Sequence, residues 1–290
     1  MKILLLGKSL GKEDIPLLIN MRDFLLKRNV QIWVYAPYQD YLLEQHELDL
    51  GLPLFTSLSL PDKSDVLIGL GGDGTMLEAA TVLKSSGIPM LGINLGRLGF
   101  LSPVPKPLVE QALTLLTEGN FTIEQRGLLQ AEVEGVPREG QLALNEVTVL
   151  KRDSSSMIEL RCLLDGQYFN TYRSDGLIVS TPTGSTGYSL SCGGPIVHPS
   201  SPVLVITPIA PHNLTQRPFV VSDAAVIELQ CTSRTGDYLV SLDGRSYRLP
   251  DSMSIRVRKA NHKIGFVHLK SMNYLQTLRN KLLWGLDPRN

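Results

Sequence analysis

Residues 65–75 read Asp65-Val66-Leu67-Ile68-Gly69-Leu70-Gly71-Gly72-Asp73-Gly74-Thr75. An apolar run that ends in glycines predicts a buried strand feeding a tight turn. Glycines at such a turn let backbone N–H groups come close to a phosphate. The turn also carries a carboxylate, Asp73, which would repel a phosphate. Asp73 must therefore offset its charge with a metal or take a proton from a reacting group. A phosphate cradle with a base in its middle points to phosphoryl transfer.

Two neighbouring motifs fail on spacing. Gly69-Leu70-Gly71-Gly72-Asp73-Gly74 fits G-x-G-x-x-G literally. A dinucleotide fingerprint also wants an acid about 20 residues further on to hold a ribose. Asn94 stands there, with no acid nearby. Gly7-Lys8-Ser9 follows the strand-like Lys2 to Leu6, but a Walker A loop needs a glycine where this chain has Lys2. Any ATP chemistry here proceeds without a P-loop.

Outward from the glycine turn, the first third alternates strands and helices. Lys2–Leu6, Gln31–Tyr35, Ser64–Leu70 and Pro89–Asn94 read as strands, and Glu13–Arg28 and Thr75–Ser85 as helices. The first helix carries Ile15, Leu18, Ile19, Phe24 and Leu25 at helical spacing. Such alternation predicts an α/β domain with a parallel sheet. Ligands of such sheets sit beyond the carboxyl ends of the strands, where Gly71–Thr75 and the stretch Asn94-Leu95-Gly96-Arg97-Leu98-Gly99 fall.

From Phe121 the pattern changes to many short strands: Leu128–Val133, Leu142–Leu150, Ile158–Leu164, Gly176–Ser180, Val203–Thr207, Ala225–Gln230 and Met253–Val257. They predict an antiparallel, sandwich-like all-β domain. The tail Met272–Trp284 returns to helical spacing and is expected to pack back on the first domain. The division is thus 1–120 for the α/β nucleotide-binding domain, 121–268 for the β-rich domain and 269–290 for the helical tail.

Composition bounds the function. The 290 residues are 43% hydrophobic and 19% charged, enough for a sizeable core. Net charge is zero and no basic stripe appears, so nucleic acid is not an expected partner. Cys162, Cys192 and Cys231 have no metal-ligand spacing and suit a reducing compartment. The start lacks a signal peptide's pattern, and no run approaches a membrane span. A cytoplasmic protein without a membrane partner is expected.

Two further constellations carry chemistry. In Asp175–Ser191 an apolar strand ends in Thr181-Pro182-Thr183-Gly184, and Ser185 and Thr186 stand where a helix N-cap would be. Such a helix start would offer N–H donors to a pyrophosphate, with Tyr188 as a stacking face for a base. Gly193-Gly194-Pro195 would end that helix. An ordinary capped turn would look the same in isolation. The second constellation is Asn145-Glu146, inside an apolar strand. Adjacent strand residues point to opposite faces, so both line one pocket only at a bulge or strand end. Otherwise Glu146 is a solvent-facing residue of a half-exposed strand.

In Gly71–Thr75, Asn94–Leu101, Asn145-Glu146 and Asp175–Pro195, and in their order and spacing, the chain resembles the NAD kinase (ATP-NAD kinase) family. The glycine-aspartate motif alone is shared with lipid kinases and phosphofructokinases. The Thr-Pro-Thr-Gly-Ser-Thr segment is more specific. The resemblance implies phosphorylation of the adenosine 2'-hydroxyl of NAD by ATP with a divalent metal; few metal-ligating carboxylates are evident in the sequence, so the metal, magnesium above others, is expected to be carried with ATP and not in a protein site. It implies that Asp73 accepts the hydroxyl proton. The loop Gly71, Gly72, Gly74 and Thr75 would hold ATP phosphates, and Asp73 and Gly74 would also touch NAD. Further NAD contacts would come from Asn145, Glu146, Arg173, Asp175, Thr186, Gly187, Tyr188, Ser189, Leu190, Ser191 and Ala210. A homo-oligomer, dimer or tetramer, is also implied. Gly187 replaces the family's usual alanine, and Arg245 follows Asp243-Gly244 where glutamine is frequent. A kinase of another alcohol, sharing only Gly71–Thr75, and a silent NAD(P)-binding regulator are the competing readings.

Overall fold

The computed structural model describes residues 1–96, 99–136, 141–152, 156–269 and 274–284. The chain divides into two compact units, Met1–Gln125 with Ile264–Asn290, and Arg126–Lys263. It passes from one to the other within two strands, β7 (Phe121–Glu132) and β18 (Ser254–Leu269).

The first unit holds β1 (Lys2–Gly7), α1 (Ile15–Lys27), β2 (Gln31–Tyr35), α2 (Ala36–His46), β3 (Leu54–Phe55), β4 (Val66–Leu70), α3 (Asp73–Leu83), β5 (Met90–Asn94), β6 (Val104–Pro105) and α4 (Val109–Thr117). Its sheet runs β3-β2-β1-β4-β5, all parallel. β6 joins the carboxyl end of β5, and Phe266 of β18 pairs with Met90 at its start. Ile3 to Leu6 and Val66 to Ile68 are wholly buried, as expected of strands covered on both faces. Strand order reverses between β1 and β4, so their carboxyl ends open the crevice where such sheets take ligands. The last helix, α6 (Tyr274–Leu282), belongs to this unit, as the tail's spacing predicts. Met272 lies outside the described residues.

In this unit the expected strands and helices hold within two residues, while α2, α4 and the short β3 and β6 do not figure among them. The buried face of α2 includes Gln39, a polar residue that obscures the apolar stripe. Its amide donates to Leu48 O at 3.0 Å and accepts from Leu50 N–H at 3.4 Å, which makes its burial tolerable.

The second unit holds β8 (Leu142–Ala143), β9 (Glu146–Leu150), β10 (Ile158–Leu164), β11 (Gln167–Ser174), β12 (Gly176–Ser180), α5 (Tyr188–Ser191), β13 (Val203–Ile209), β14 (Phe219–Ser222), β15 (Ile227–Thr232), β16 (Asp237–Leu242) and β17 (Arg245–Pro250). One antiparallel sheet runs β14-β13-β12-β9-β16-β17. The other contains β11-β10-β15-β18, with β7 paired to β8. Leu129, Val147, Val149, Leu160, Leu177, Val179, Ile227 and Tyr238 share one apolar core, which alternating strands supply. The mixed architecture, a parallel α/β unit and an antiparallel β unit with a terminal helix, is the one the sequence predicts.

Candidate functional site

In the first unit, β4 ends at Leu70 and α3 begins at Asp73. Gly71 bridges them at φ 147°, and a Cβ there would fall on the Thr75 hydroxyl. Only glycine satisfies that turn. Its N–H donates to Ile93 O at 2.9 Å, tying the turn to the end of β5. Gly72 and Gly74 face open space. Thr75 is buried, and its N–H donates to Gly72 O at 3.0 Å. The N–H groups of Asp73 and Gly74, ahead of Thr75 at the start of α3, have no carbonyl one turn back to take them, as at any helix start, and suit an anion.

Asp73 is the first residue of α3, and its carboxylate is fixed from a distant loop. Oδ1 accepts Leu101 N–H at 2.8 Å, and Oδ2 accepts Phe100 N–H at 3.1 Å. A Cβ on Gly99 would strike Oδ1, so this loop too needs a glycine. Thus Gly71–Thr75 and the Asn94–Leu101 stretch, read separately in the sequence, come together on one carboxylate. Arg97 and Leu98 of that stretch lie outside the described residues. Asn94, buried at the end of β5, accepts Gly96 N–H at 2.9 Å. Gly69 sits within β4 beneath Met76, so the G-x-G-x-x-G reading places its first glycine in the strand. Lys8 pairs with Glu78 of α3 at 2.9 Å. Sequence reasoning passed over Lys281 of α6, whose Nζ lies 3.7 Å from Asp73 Oδ2 and 4.5 Å from the centre of the Phe100 ring. No local motif marks it, because 208 residues separate it from Asp73.

In the second unit the expected strand Leu142–Leu150 is broken between β8 and β9; Leu144-Asn145 occupies the break and Glu146 opens β9. Asp243, in the turn between β16 and β17, causes the break. Its carboxylate accepts the N–H groups of Leu144 at 2.6 Å, Asn145 at 2.9 Å and Glu146 at 3.0 Å. Three N–H groups bent onto one carboxylate cannot also serve a ladder, so the strand stops there. Burial raises the Asp243 carboxyl above its ordinary range, while these three bonds oppose that rise. Arg245 completes the tether. Its guanidinium donates to Leu242 O at 3.1 Å and to Leu142 O. The arginine that departs from the family pattern is thus engaged with backbone carbonyls.

Glu146 is not the solvent-facing alternative. Its Oε2 and the Asn145 Oδ1 are buried without a hydrogen-bond partner. Burial first, and the Asp243 charge second, push the Glu146 carboxyl up to about 8, against a hydrogen bond from the Tyr188 backbone N–H. That bond joins Asn145-Glu146 to the Thr186–Ser191 segment. Gly184 packs directly on the Asn145 backbone, and a Cβ on Gly187 would lie 3.1 Å from Glu146 Oε2.

The helix expected from Ser185 is corrected by the structure. Gly184–Thr186 is a 3-10 turn, Gly187 has φ −92° and ψ −132°, and α5 spans only Tyr188–Ser191. No side chain caps α5. Ser185 Oγ instead donates to Pro182 O at 2.7 Å and accepts Val197 N–H at 3.0 Å. Thr186 Oγ1 donates to Thr183 O at 3.2 Å. With the hydroxyls so used and the first N–H of α5 given to Glu146, a helix-terminus pyrophosphate site is not built here. The Tyr188 ring remains exposed, as a stacking face must be. Ser189 does not present its hydroxyl, which is buried against Thr207 Oγ1 at 2.8 Å. Leu190 is half-buried and Ser191 exposed.

Arg173, Asp175 and Ala210 gather at the other end of β12, where Gly176 pairs with Ile209. Asp175 binds Lys151 Nζ at 2.6 Å, and its N–H donates to Ile209 O at 3.0 Å. Arg173 is exposed and pairs with Glu159 at 3.0 Å. Ala210 holds φ 43°. Burial first, then the charges of Cys192 and Asp175, raise the Tyr188 hydroxyl. Among the described residues, no group of three or more His, Cys, Asp or Glu could hold a metal ion.

Comparison with known proteins bears on this geometry. Residues 54–121 match the model of the ATP-NAD kinase N-terminal domain, and residues 144–269 that of the C-terminal domain. The NAD kinase of Flavobacterium psychrophilum is 43% identical over 295 residues, covering 100% of both chains. That of Flavobacterium johnsoniae is 44% identical with the same coverage. Among solved structures, yeast NADH kinase complexed with NADH superposes with a TM-score of 0.85 at 23% identity, over 99% of this chain and 89% of that one. An NAD kinase from Archaeoglobus fulgidus in complex with ATP gives 0.76 at 26% identity, over 98% and 99%.

Proposed function

Because the chain belongs to the ATP-NAD kinase family and is an ATP-dependent NAD kinase, we propose that it moves the γ-phosphate of ATP to the adenosine 2'-hydroxyl of NAD, with Asp73 as the base. The observation that carries this reading is the Asp73 carboxylate, set at the start of α3 and oriented by two backbone N–H groups. A ribose hydroxyl is a poor nucleophile at neutral pH, and a positioned carboxylate can accept its proton. The proton passes to Asp73, the hydroxyl oxygen bonds to the γ-phosphorus, and the bond to the β–γ bridging oxygen breaks with its electron pair leaving on ADP. Gly71, Gly72, Gly74 and Thr75 supply the turn and the leading N–H groups of α3 for the phosphates. Catalysis in such transfers rests on alignment and charge neutralisation.

A divalent cation, magnesium foremost, supplies part of that neutralisation. The residues present fit an ion that would arrive on the ATP phosphates with its waters, since the open space at Gly72 and Gly74 admits phosphates while the described residues form no carboxylate cage. NAD is assigned to Asn145 and Glu146, whose partnerless buried oxygens suit ribose or base donors, and to Tyr188 for stacking. Thr186, Gly187, Ser189, Leu190 and Ser191 shape the wall beside them. Arg173, Asp175 and Ala210 are assigned to the same ligand, and Asp73 and Gly74 to both nucleotides. By family likeness the chain forms a homo-oligomer. Its three free cysteines suit the cytoplasm, and no helix among the described residues is long and apolar enough to cross a membrane.

The test is to incubate the purified chain with ATP, magnesium and NAD and to assay NADP. NADP should form only with a divalent cation present. Phosphate appearing on a lipid or sugar instead, with no NADP above background, overturns the assignment.

A further inference from the structure

Resting on the kinase reading, we propose that Lys281 of the C-terminal helix is a catalytic residue that neutralises the transferring phosphate. The glycine turn has a conspicuous charge problem. It must receive the polyanionic triphosphate beside a carboxylate, and it lacks a P-loop lysine. Lys8, on the neighbouring strand end, is already bound to Glu78. Lys281 stands in the opposite situation.

Its Nζ is 3.7 Å from Asp73 Oδ2, beyond the 2.7–2.9 Å typical of a charge-assisted hydrogen bond. The Asp73 oxygens already accept the Phe100 and Leu101 N–H groups. The ammonium therefore retains donors for another acceptor. Phe100 holds it in place: Nζ lies 4.5 Å from the ring centre, a cation–π distance. The same residue thus presents its backbone N–H to the base and its ring to the lysine. Leu278, buried one turn earlier, anchors α6. The lysine side chain stays about one-third exposed, as does that of Asp73.

The chemistry uses this placement twice. Before transfer, Lys281 faces the negative charge of Asp73. As the 2'-hydroxyl proton moves to Asp73, the carboxylate becomes neutral and that attraction ends. Negative charge simultaneously grows on the β–γ bridging oxygen as its bond to the γ-phosphorus breaks, and the ammonium turns its donors to it. An ammonium aimed at charge that develops in the transition state accelerates the step more than it tightens substrate binding.

Lys281→Met and Lys281→Arg, assayed in the full chain with magnesium, test the assignment. Met should lower kcat about 10- to 100-fold, leave KM for NAD within about twofold, and weaken ADP and a non-hydrolysable ATP analogue more than AMP. Arg, which keeps the charge, should recover most of kcat. Melting temperatures of both variants should match the unsubstituted chain, because the side chain is on the surface of α6. A kcat for Met within twofold of the unsubstituted chain overturns the proposal, and so does an equal loss for AMP and ATP or a failure of Arg to recover activity. NADP formation by the unsubstituted chain is the control: its absence would defeat the kinase reading instead.

Discussion

The two units treat their key carboxylates in opposite ways. Asp73 is about one-third exposed, accepts two backbone N–H groups and has a lysine 3.7 Å away. Glu146 has a buried oxygen without a partner and another carboxylate, Asp243, as its main charged neighbour. The first arrangement holds an oriented, partly exposed carboxylate beside a cation. The second makes charge costly and leaves polar atoms that a ligand can satisfy. On the proposed assignment, chemistry and recognition call for different surroundings of the same functional group.

Removing the charge from the first carboxylate should have the largest effect. Asp73→Asn keeps the shape but not the base, so kcat should fall about 100-fold or more. KM for NAD should change little or improve, since a negative charge near phosphates is gone. Steady-state kinetics with each substrate varied decides it, and a near-normal kcat would remove Asp73 from the role of proton acceptor.

The second carboxylate should register in stability rather than turnover. The Glu146 carboxyl is raised from an ordinary 4.5 to about 8 in the folded chain. The folded state therefore holds this proton more tightly than the unfolded one. Stability from this group is complete below about pH 4.5 and is lost as pH rises toward 8. Glu146→Gln stays neutral throughout. Between pH 5 and 8 the unsubstituted chain should lose roughly 3–4 kcal/mol relative to the variant. Parallel melting curves across that range would mean that Glu146 is ionised and solvated.

Asn145→Ala and Asp175→Ala sharpen the recognition side. Each should raise KM for NAD more than KM for ATP. About tenfold is expected for Asn145, the worth of one or two hydrogen bonds. Asp175 should give less, since it already pairs with Lys151. Equal effects on both substrates, with a lower melting temperature, would indicate packing instead.

Gly187→Ala should do least. Its φ of −92° admits alanine, but the new methyl would stand 3.1 Å from Glu146 Oε2 and 3.2 Å from Gly184 O. The entropic gain of up to about 1 kcal/mol from replacing glycine is then largely cancelled by crowding. A change in unfolding free energy within about 0.5 kcal/mol is expected. A clear rise would show that the neighbours give way, and a clear fall that the 184–188 turn is rigid.

What the sequence determined by itself is local. Val66–Leu70 followed by Gly71 and Gly72 could only be a buried strand and a turn, because apolar runs bury and glycine alone accepts φ 147°. The change of period near Phe121 separated the parallel from the antiparallel architecture. Asn145-Glu146 stood out as polar residues in an apolar run. What only the tertiary structure decided is long-range. Asp243 reaches back 97 to 99 residues to break the strand at Leu144-Asn145, just before Glu146. The loop at 100–101 orients Asp73, and Lys281 arrives from the far end of the chain. The hydroxyls of Ser185 and Thr186 resembled a helix cap, yet nearby carbonyls claimed them. Propensity and motif describe what a residue can do with its neighbours in sequence. A hydrogen bond or an ion pair goes to whichever partner the folded chain brings within about 3 Å, and no local pattern encodes that partner.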